Sequence, residues 1–531
     1  MSGQHASAAE PPQSANCAPS GGSEAAKPRA WGDHTSAHRL LRGGKRALCC
    51  ALVAALCACS LAPPYERPGT PAPPAFKEAP AADSTWFPAA PADELDRGHW
   101  WTLFNDPVLS GLVEQVQVSN QNVAAAVAAY AQAQALVSEQ RAALFPSLAL
   151  NGGASRTGGR GAQQRSGNSF DLTLGASWEP DIWGKLRLAV TSAEANAAAS
   201  AADLAAATLS AQTALATDYF ALREADNEIR LLTAAVDAYS KSLRITQNQY
   251  DVGIAQRTDV LQAQTQLETT QANLVAMVGQ RARLEHAIAL LIGKAPAEVT
   301  LPAGEWNPNV AAVPLVVPSA LLQRRPDIAA AERAVAAANA QIGIQRAGYF
   351  PNVGLSASLG AASATLPALL RASSSVWSLG LTVAQTLFDA GATAARVEGA
   401  QAARDVAIAN YRQTVLTAFQ AVEDDLSNIR SLAEQEGSRR AASADADRTE
   451  QLTLNQYLQG QVPYTTVVTA QVTALSARQT LSQLTSSRQA AAIALIQALG
   501  GGWQAPEPIA GAGFRQETDG MRVAPPARPS S

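Results

Sequence analysis

The stretch Phe170-Asp171-Leu172-Thr173-Leu174-Gly175-Ala176-Ser177-Trp178 decides the fold. Side chains alternate along an extended chain, so Phe170, Leu172, Leu174, Ala176 and Trp178 share one face, and Asp171, Thr173, Gly175 and Ser177 share the other. Trp377-Ser-Leu-Gly-Leu-Thr-Val383 alternates in the same way. Leu148-Ala-Leu150 precedes the first of these stretches, and Val353-Gly-Leu-Ser-Ala-Ser-Leu359 precedes the second. Segments rich in Gly, Ser and Thr, 153–168 and 360–375, read as the loops between them. An apolar face backed by a small polar one is the pattern of a transmembrane β-strand. Trp178 and Trp377 sit at strand ends, where interfacial aromatics belong. A β-hairpin on a soluble domain would alternate too, but soluble hairpins rarely join helices of the length that follows here.

From Lys185 to Tyr250 there is neither Pro nor Gly. A helix over this stretch would run for roughly 100 Å, several times the usual length in a globule. Its apolar residues recur every three or four positions: Leu215, Tyr219 and Leu222, then Ile229, Leu232, Val236, Tyr239 and Leu243. That is a coiled-coil seam. Leu267, Leu274, Met277, Arg281, Leu284, Ile288 and Leu291 give a returning helix, and Tyr411, Val415, Ala418, Val422 and Ile429 begin a second such pair. The opposite faces hold Gln, Ser, Thr and Ala. Helices packed on one side and wet on the other suit the wall of a water-filled tube. A solvated coiled-coil rod without a pore fits the helices alone, and the strands argue against it.

The chain is written twice. Asn248-Gln249-Tyr250-Asp-Val-Gly253 matches Asn455-Gln456-Tyr457-Leu-Gln-Gly460, and the offset of 207 persists through Thr258/Thr465, Ala263/Ala470 and Gly293/Gly500. Phe145-Pro146 matches Phe350-Pro351 at an offset of 205. Composition alone does not align Asn-Gln-Tyr, Gly and Phe-Pro. The expected division is a leader and signal over 1–58, a tether over 59–99, repeat 1 over 100–293, a linker over 294–317, repeat 2 over 318–500 and a tail over 501–531. Each repeat reads as helix, two strands, long helix, turn, helix. The fold class is therefore mainly α with a small β part and four transmembrane strands per chain. A barrel in lipid must close, because an open edge leaves backbone groups unpaired in hydrocarbon. Two chains would give a barrel filled with side chains, whereas three would give twelve strands and a pore.

The first sixty residues read as an address. Arg39-Leu-Leu-Arg42-Gly-Gly-Lys45-Arg46 is basic, Ala47 to Leu56 is apolar, and Leu56-Cys57-Ala58-Cys59 ends in small residues, as in a bacterial secretory signal. The last four residues resemble a lipobox, making Cys59 the lipidated residue, and Ser60 after it is compatible with outer-membrane sorting. A Cys-rich buried helix is the rival reading, and Pro63-Pro64 would end it at once. The Pro-rich run 63–92 is an extended tether. All five Cys lie in the first 59 residues, so nothing downstream can form a disulfide or a thiolate metal site. A net charge of −4 argues against nucleic acid as a partner.

Cys59-Ser-Leu-Ala-Pro-Pro-Tyr65-Glu-Arg-Pro68, Trp100-Trp101-Thr-Leu-Phe104-Asn-Asp106-Pro-Val-Leu109, Arg324-Arg325-Pro326-Asp327-Ile328 and the two turns at Gly253 and Gly460 together carry a resemblance. The chain resembles the outer-membrane efflux duct family typified by TolC and OprM, in its NodT-type lipoprotein branch, over residues 59–500. The resemblance implies a homotrimer with a 12-stranded outer-membrane barrel, a periplasmic α-helical tunnel and a collar built from the linker and the chain ends. It also implies an exit duct of a tripartite efflux system that exports drugs or other small molecules from the cell. The partners would be a periplasmic adaptor protein, an inner-membrane efflux pump of the resistance-nodulation-division type and outer-membrane lipid. An ABC-type exporter, or metal or oligosaccharide cargo, stays open as an alternative.

No catalytic constellation, phosphate loop or metal-ligand spacing is present. His99 and His286 are the His of the mature chain, with His286 near a seam. The expectation is no enzyme activity, no metal and no cofactor beyond covalent lipid at Cys59. The resemblance makes Asp259, Arg257, Tyr464 and Thr466 candidates for a periplasmic gate, and Gly253, Ile254, Gly460 and Gln461 candidates for adaptor contact. Three copies of Asp259 would form an acidic ring, though Asp is equally a favoured helix cap. Thr466 and Thr469 stand where relatives often carry acids, which puts a second ring in doubt. Tyr464 fits equally a plug at the tip and packing between helices.

Overall fold

The computed structural model describes residues 61–70, 73, 75–79, 99–158, 167–311, 313 and 324–501. The signal, Cys59, much of the tether, the end of the linker and the tail lie outside them. After a 3-10 turn at Trp100–Phe104, α1 (Pro107–Ser119) and α2 (Gln121–Ala142) lead to β1 (Ser147–Thr157) and β2 (Gly167–Trp178). Then come α3 (Lys185–Asp251) and α4 (Arg257–Leu291). The second half runs α5 (Pro326–Arg346), β3 (Asn352–Ser363), β4 (Ser375–Ala384), α6 (Ala392–Leu458) and α7 (Tyr464–Ala498). The long helices α3 and α6 are both 67 residues, and α4 and α7 are both 35.

Local chemistry sets the boundaries. Asp106 accepts from the amides of Val108 and Leu109 at 2.9 and 3.0 Å and starts α1, with Pro107 in the first turn, where its missing N–H costs nothing. Asn120 ends α1 and caps α2, accepting from Asn122 and Val123. The long helices each start after a left-handed glycine, Gly184 or Gly391, with an upstream acid accepting from the first turn. Asp181 takes the amides of Leu186 and Arg187, and Asp389 takes those of Gly391 and Thr393. Gly399 and Gly437 lie inside α6 without breaking it.

The core follows the seam. Leu215, Tyr219, Leu222, Leu232 and Tyr239 of α3 are buried, as are Tyr411, Val415, Ala418 and Val422 of α6. The largest cluster joins Trp100, Trp101, Phe104 and the apolar face of α1 to α3, α4, α6 and the end of α7. His286 departs from the seam: it is exposed on α4, while Ile288 is buried two residues later. Of the tether, residues 61–65 lie along α5. Asn339 donates to the Pro63 carbonyl at 2.8 Å, and a Cβ on Gly343 would come within 2.8 Å of Ala62. Further on, the amides of Lys77 and Glu78 donate to Glu423 of α6 at 2.7 and 2.9 Å.

The four strands form one antiparallel sheet in the order β1-β2-β3-β4. They are longer than alternation alone gives. Strand β1 continues from Leu150 to Thr157 through Gly152-Gly153, and β3 continues to Ser363, so parts of both expected loops are strand. Glycine and alanine interrupt the apolar signal without interrupting the ladder. Between β3 and β4 are two 3-10 turns, Leu366–Ala368 and Ala372–Ser374.

Candidate functional site: the helix tips and the sheet

Both helix tips use one backbone solution. At the first, Gly253 has φ +79°, its amide donates to Tyr250 and the Ile254 amide donates to Gln249 at 2.8 Å. At the second, Gly460 has φ +74°, its amide donates to Tyr457 and the Gln461 amide donates to Gln456 at 2.9 Å. Each pair satisfies the last carbonyls of a long helix with a left-handed glycine. Neither glycine would meet anything within 4 Å if it carried a Cβ, so conformation rather than crowding selects it. The side chains beyond are open: Ile254 is 76% exposed, and Gln461 is exposed.

The tips differ in what starts the returning helix. Asp259 accepts the Gln256 amide at 3.3 Å, half of a capping box, and Arg257 lies over the Tyr250 ring at 5.8 Å. The second return starts on Pro463, and Thr466 is exposed. Tyr464 is 2% exposed, and its hydroxyl lies 3.2 Å from Ser242 of α3. Its ring is 5.2 Å from that of Tyr457, whose hydroxyl donates to Gln249 at 2.6 Å. Within one chain, then, Tyr464 packs between α7 and α3. Burial pushes both tyrosine hydroxyls above their ordinary range, so both stay protonated donors.

In the sheet, register puts the alternating residues on common faces. Leu150 pairs with Leu174, Leu174 with Leu359, and Leu359 with Trp377. That face is an apolar wall open to the surroundings, with Trp377 at 78% and Leu379 at 76% exposure. Trp178 ends β2 on the helix side and donates to the Leu144 carbonyl at 2.9 Å, whereas Trp377 lies toward the loop end of β4. The other face carries Ser, Gly, Thr, Ala and Asn with few exceptions. Strands β1 and β4 each have a single neighbour among the described strands. No helix among the described residues is long and apolar enough to cross a membrane.

The Arg324-Arg325-Pro326-Asp327 motif is a clamp between α5 and the end of α7. Arg325 grips Asp327 through two nitrogens at 3.0 and 2.7 Å and donates to the Ala498 carbonyl at 2.9 Å. A Cβ on Gly500 would lie 2.5 Å from the Arg324 carbonyl oxygen, and one on Gly293 would lie 1.9 Å from that of Ser119. The two halves therefore make the same close approach.

Sequence reading missed a buried ionic cluster. Asp226 of α3 accepts from Arg223 Nη1 at 2.9 Å, Arg281 Nε of α4 at 2.7 Å and the Gly304 amide at 3.2 Å. Arg223 and Arg281 also donate to the carbonyls of Pro302 and Leu301. The linker is thereby fastened to both helices. Arg281 had been legible as a polar residue at a seam position. Glu228 gave no signal: it is 1% exposed, takes one hydrogen bond from Gln479 and has Oε2 unpartnered. Burial raises its carboxyl above the usual range.

A model of the outer membrane efflux protein family matches residues 112–294 and again 317–501. The cation efflux system protein CusC of Escherichia coli O6:H1 is 30% identical over 459 residues, spanning 86% of this chain and 98% of its own length. The toluene efflux pump outer membrane protein TtgC of Pseudomonas putida is 30% identical over 84% of this chain and 93% of its own. The outer-membrane channel OprN superposes with a TM-score of 0.75 at 29% identity, over 84% of this chain and 100% of that one. The Campylobacter jejuni CmeC channel shares the fold at a TM-score of 0.79 and 23% identity, over 85% of this chain and 96% of its own. The chain belongs to the outer membrane efflux protein family and works as an outer-membrane efflux channel, a class that conducts and performs no catalysis.

Proposed function

We propose that three copies of this chain close a 12-stranded barrel and form the exit duct of a tripartite efflux system. The observation that carries this is the open four-stranded sheet. It has an exposed apolar wall, a small polar opposite face, and edges at β1 and β4 that a neighbouring copy can pair. Strands of 10–12 residues tilted by about 40° rise roughly 25 Å, the height of an outer-membrane apolar band. On this reading the two halves are internal repeats, and the linker and the chain ends form the collar. Cys59 carries the lipid that anchors the trimer in the outer membrane. The tips at Gly253, Ile254, Gly460 and Gln461 receive a periplasmic adaptor that docks the inner-membrane pump. Asp259, Arg257, Tyr464 and Thr466 shape the closed end, Asp259 as both helix cap and acidic ring.

Relatives similar to this chain over most of their length are named for cation, toluene and antibiotic efflux. Cargo choice therefore rests with the pump, and drugs and other small molecules are the first cargo to test. The experiment is single-channel conductance of the purified, lipidated protein in a planar bilayer, wild type beside Asp259→Ala. Small cation-preferring openings that the substitution enlarges support a gated duct. Conductance indifferent to the substitution reduces Asp259 to a helix cap. A folded protein that never inserts refutes the duct.

A further inference from the structure

One charged side chain stands on the polar face of the sheet. Asp171, the fifth residue of β2, pairs with Gly153 on β1 and Ala362 on β3, and among the described strand residues no other on that face is charged. Arg156, nearer the loops, belongs to the apolar face, since it lies two positions from Ala154, the partner of Phe170. The Asp171 carboxylate leans across Gly153: a Cβ there would lie 2.5 Å from Oδ1 and 2.9 Å from Oδ2. Lack of a side chain at Gly153 is what gives the carboxylate its place, on a position where a strand would otherwise prefer a β-branched residue. The Asp171 side chain makes no hydrogen bond or ion pair with the described residues, so it faces the space on that side unpartnered. It lies toward the loop end of the strand, whereas the tips with Asp259 lie a 67-residue helix away at the other end.

We propose that Asp171 is a selectivity-determining residue of the duct: its copies form an acidic ring below the outer mouth that favours cationic permeants, separately from the helix tips. The proposal rests on the closed-barrel reading. Twelve strands spaced about 4.8 Å apart and tilted by about 40° give a backbone radius of roughly 12 Å. Side chains reaching inward leave the carboxylates on the order of 8 Å from the axis. The Debye length is about 10 Å at 0.1 M salt and about 3 Å at 1 M. The ring's field therefore reaches the axis in dilute salt and is screened in concentrated salt. Selectivity arising here must fade as ionic strength rises.

The test is the reversal potential in a KCl gradient across a planar bilayer, in an Asp259→Ala background so that the tip contributes no charge. Asp171→Asn keeps the size and removes the charge, Asp171→Glu restores the charge, and Asp171→Lys inverts it. The expected result is that Asp171→Asn lowers the K⁺ to Cl⁻ permeability ratio at least about twofold in dilute salt, with little change near 1 M. Asp171→Glu should recover the ratio, and Asp171→Lys should reverse the preference. Labelling keeps the question decidable if a variant inserts poorly. Asp171→Cys should react with a charged methanethiosulfonate added from the outer side and reduce the conductance, while Leu172→Cys on the apolar face should not. A conducting channel whose reversal potential ignores all three substitutions overturns the proposal and leaves the barrel standing. Absence of conductance in every protein, wild type included, overturns the barrel and this proposal with it.

Discussion

Replacing Asp226 with alanine removes the centre of the ionic cluster that ties the linker to the helices. Three donors lose an acceptor: Arg223, Arg281 and the Gly304 amide. Breaking a buried charge pair by deleting one partner costs about 3–5 kcal/mol, because the survivors stay buried without a counter-charge. Here part of that cost is offset. Glu285 still faces Arg281 at 3.1 Å, Arg223 still lies over the Tyr219 ring at 5.0 Å, and the carbonyls of Leu301 and Pro302 still accept. The expected loss is therefore near the low end, about 3 kcal/mol. It should appear locally, in the linker, rather than as collapse of the whole chain. Amide hydrogen exchange reads it directly, because the Gly304 amide donates to Asp226 and the Leu301 amide to Glu285. About 3 kcal/mol of local opening corresponds to exchange faster by roughly a hundredfold at these amides. Exchange within about twofold of wild type at both residues would refute the idea that this cluster holds the linker in place.

Three more outcomes follow from the geometry. Gly293→Ala should destabilise by about 2–4 kcal/mol, since it combines a φ of +70° with a Cβ 1.9 Å from the Ser119 carbonyl, whereas Gly253→Ala, with φ +79° and open space, should cost only about 1 kcal/mol; paired thermal melts decide. Burial, with Asp424 beside it, pushes the Asp425 carboxyl up to about 6, above its unfolded value near 3.8. The folded chain then binds more protons than the unfolded one between these values, so this stabilisation is full below about 4 and is lost as pH rises through about 6. Asp425 is half-buried, so solvent screening holds the effect to about 1 kcal/mol, and Asp425→Asn should raise the melting temperature at pH 7 but not at pH 4. Amides around Gly253 and Gly460 should exchange well before those around Leu215 and Val422, because the tip cluster is small and the cluster around Trp101 is large; uniform protection along the helices would contradict this.

How much of this was legible follows from which interactions are periodic. The seam of α3 reads off the sequence because one helix face must be apolar at every turn, and Leu215, Tyr219, Leu222, Leu232 and Tyr239 are indeed buried. The tip turns read off because only glycine takes a left-handed φ without strain, and Gly253 and Gly460 both do. The lengths of β1 and β3 did not read off, because Gly152-Gly153 and Gly360-Ala361 bond in the ladder through backbone groups that carry no side-chain signal. The place of Tyr464 stayed open between plug and packing, since a tyrosine at a helix start fits either, and only the facing Ser242, 222 positions away, sets it within the coil. Asp226 and Glu228 were invisible for the same reason: apart from Arg223 on the same helix as Asp226, their partners come from other helices and from the linker.

The two halves share a skeleton but not a role, and the difference argues for further copies around them. Helix α3 packs against α2, α4, α5 and α7, whereas α6, of equal length, packs chiefly against α5 and α7. Beyond Leu426 the described residues of α6 bury only Ser443, Thr453 and Tyr457, and Leu452 and Leu458 stay exposed. On α4, Val275 and Val278 stay exposed as well. A helix of roughly 100 Å with so little burial is not held by propensity alone, since helical stability in proteins comes mainly from packing of an apolar face. The same incompleteness recurs in the sheet, whose edges β1 and β4 each have one partner. One closed ring of identical chains would satisfy both at once, covering the exposed flanks of α4 and α6 and joining β4 of one copy to β1 of the next.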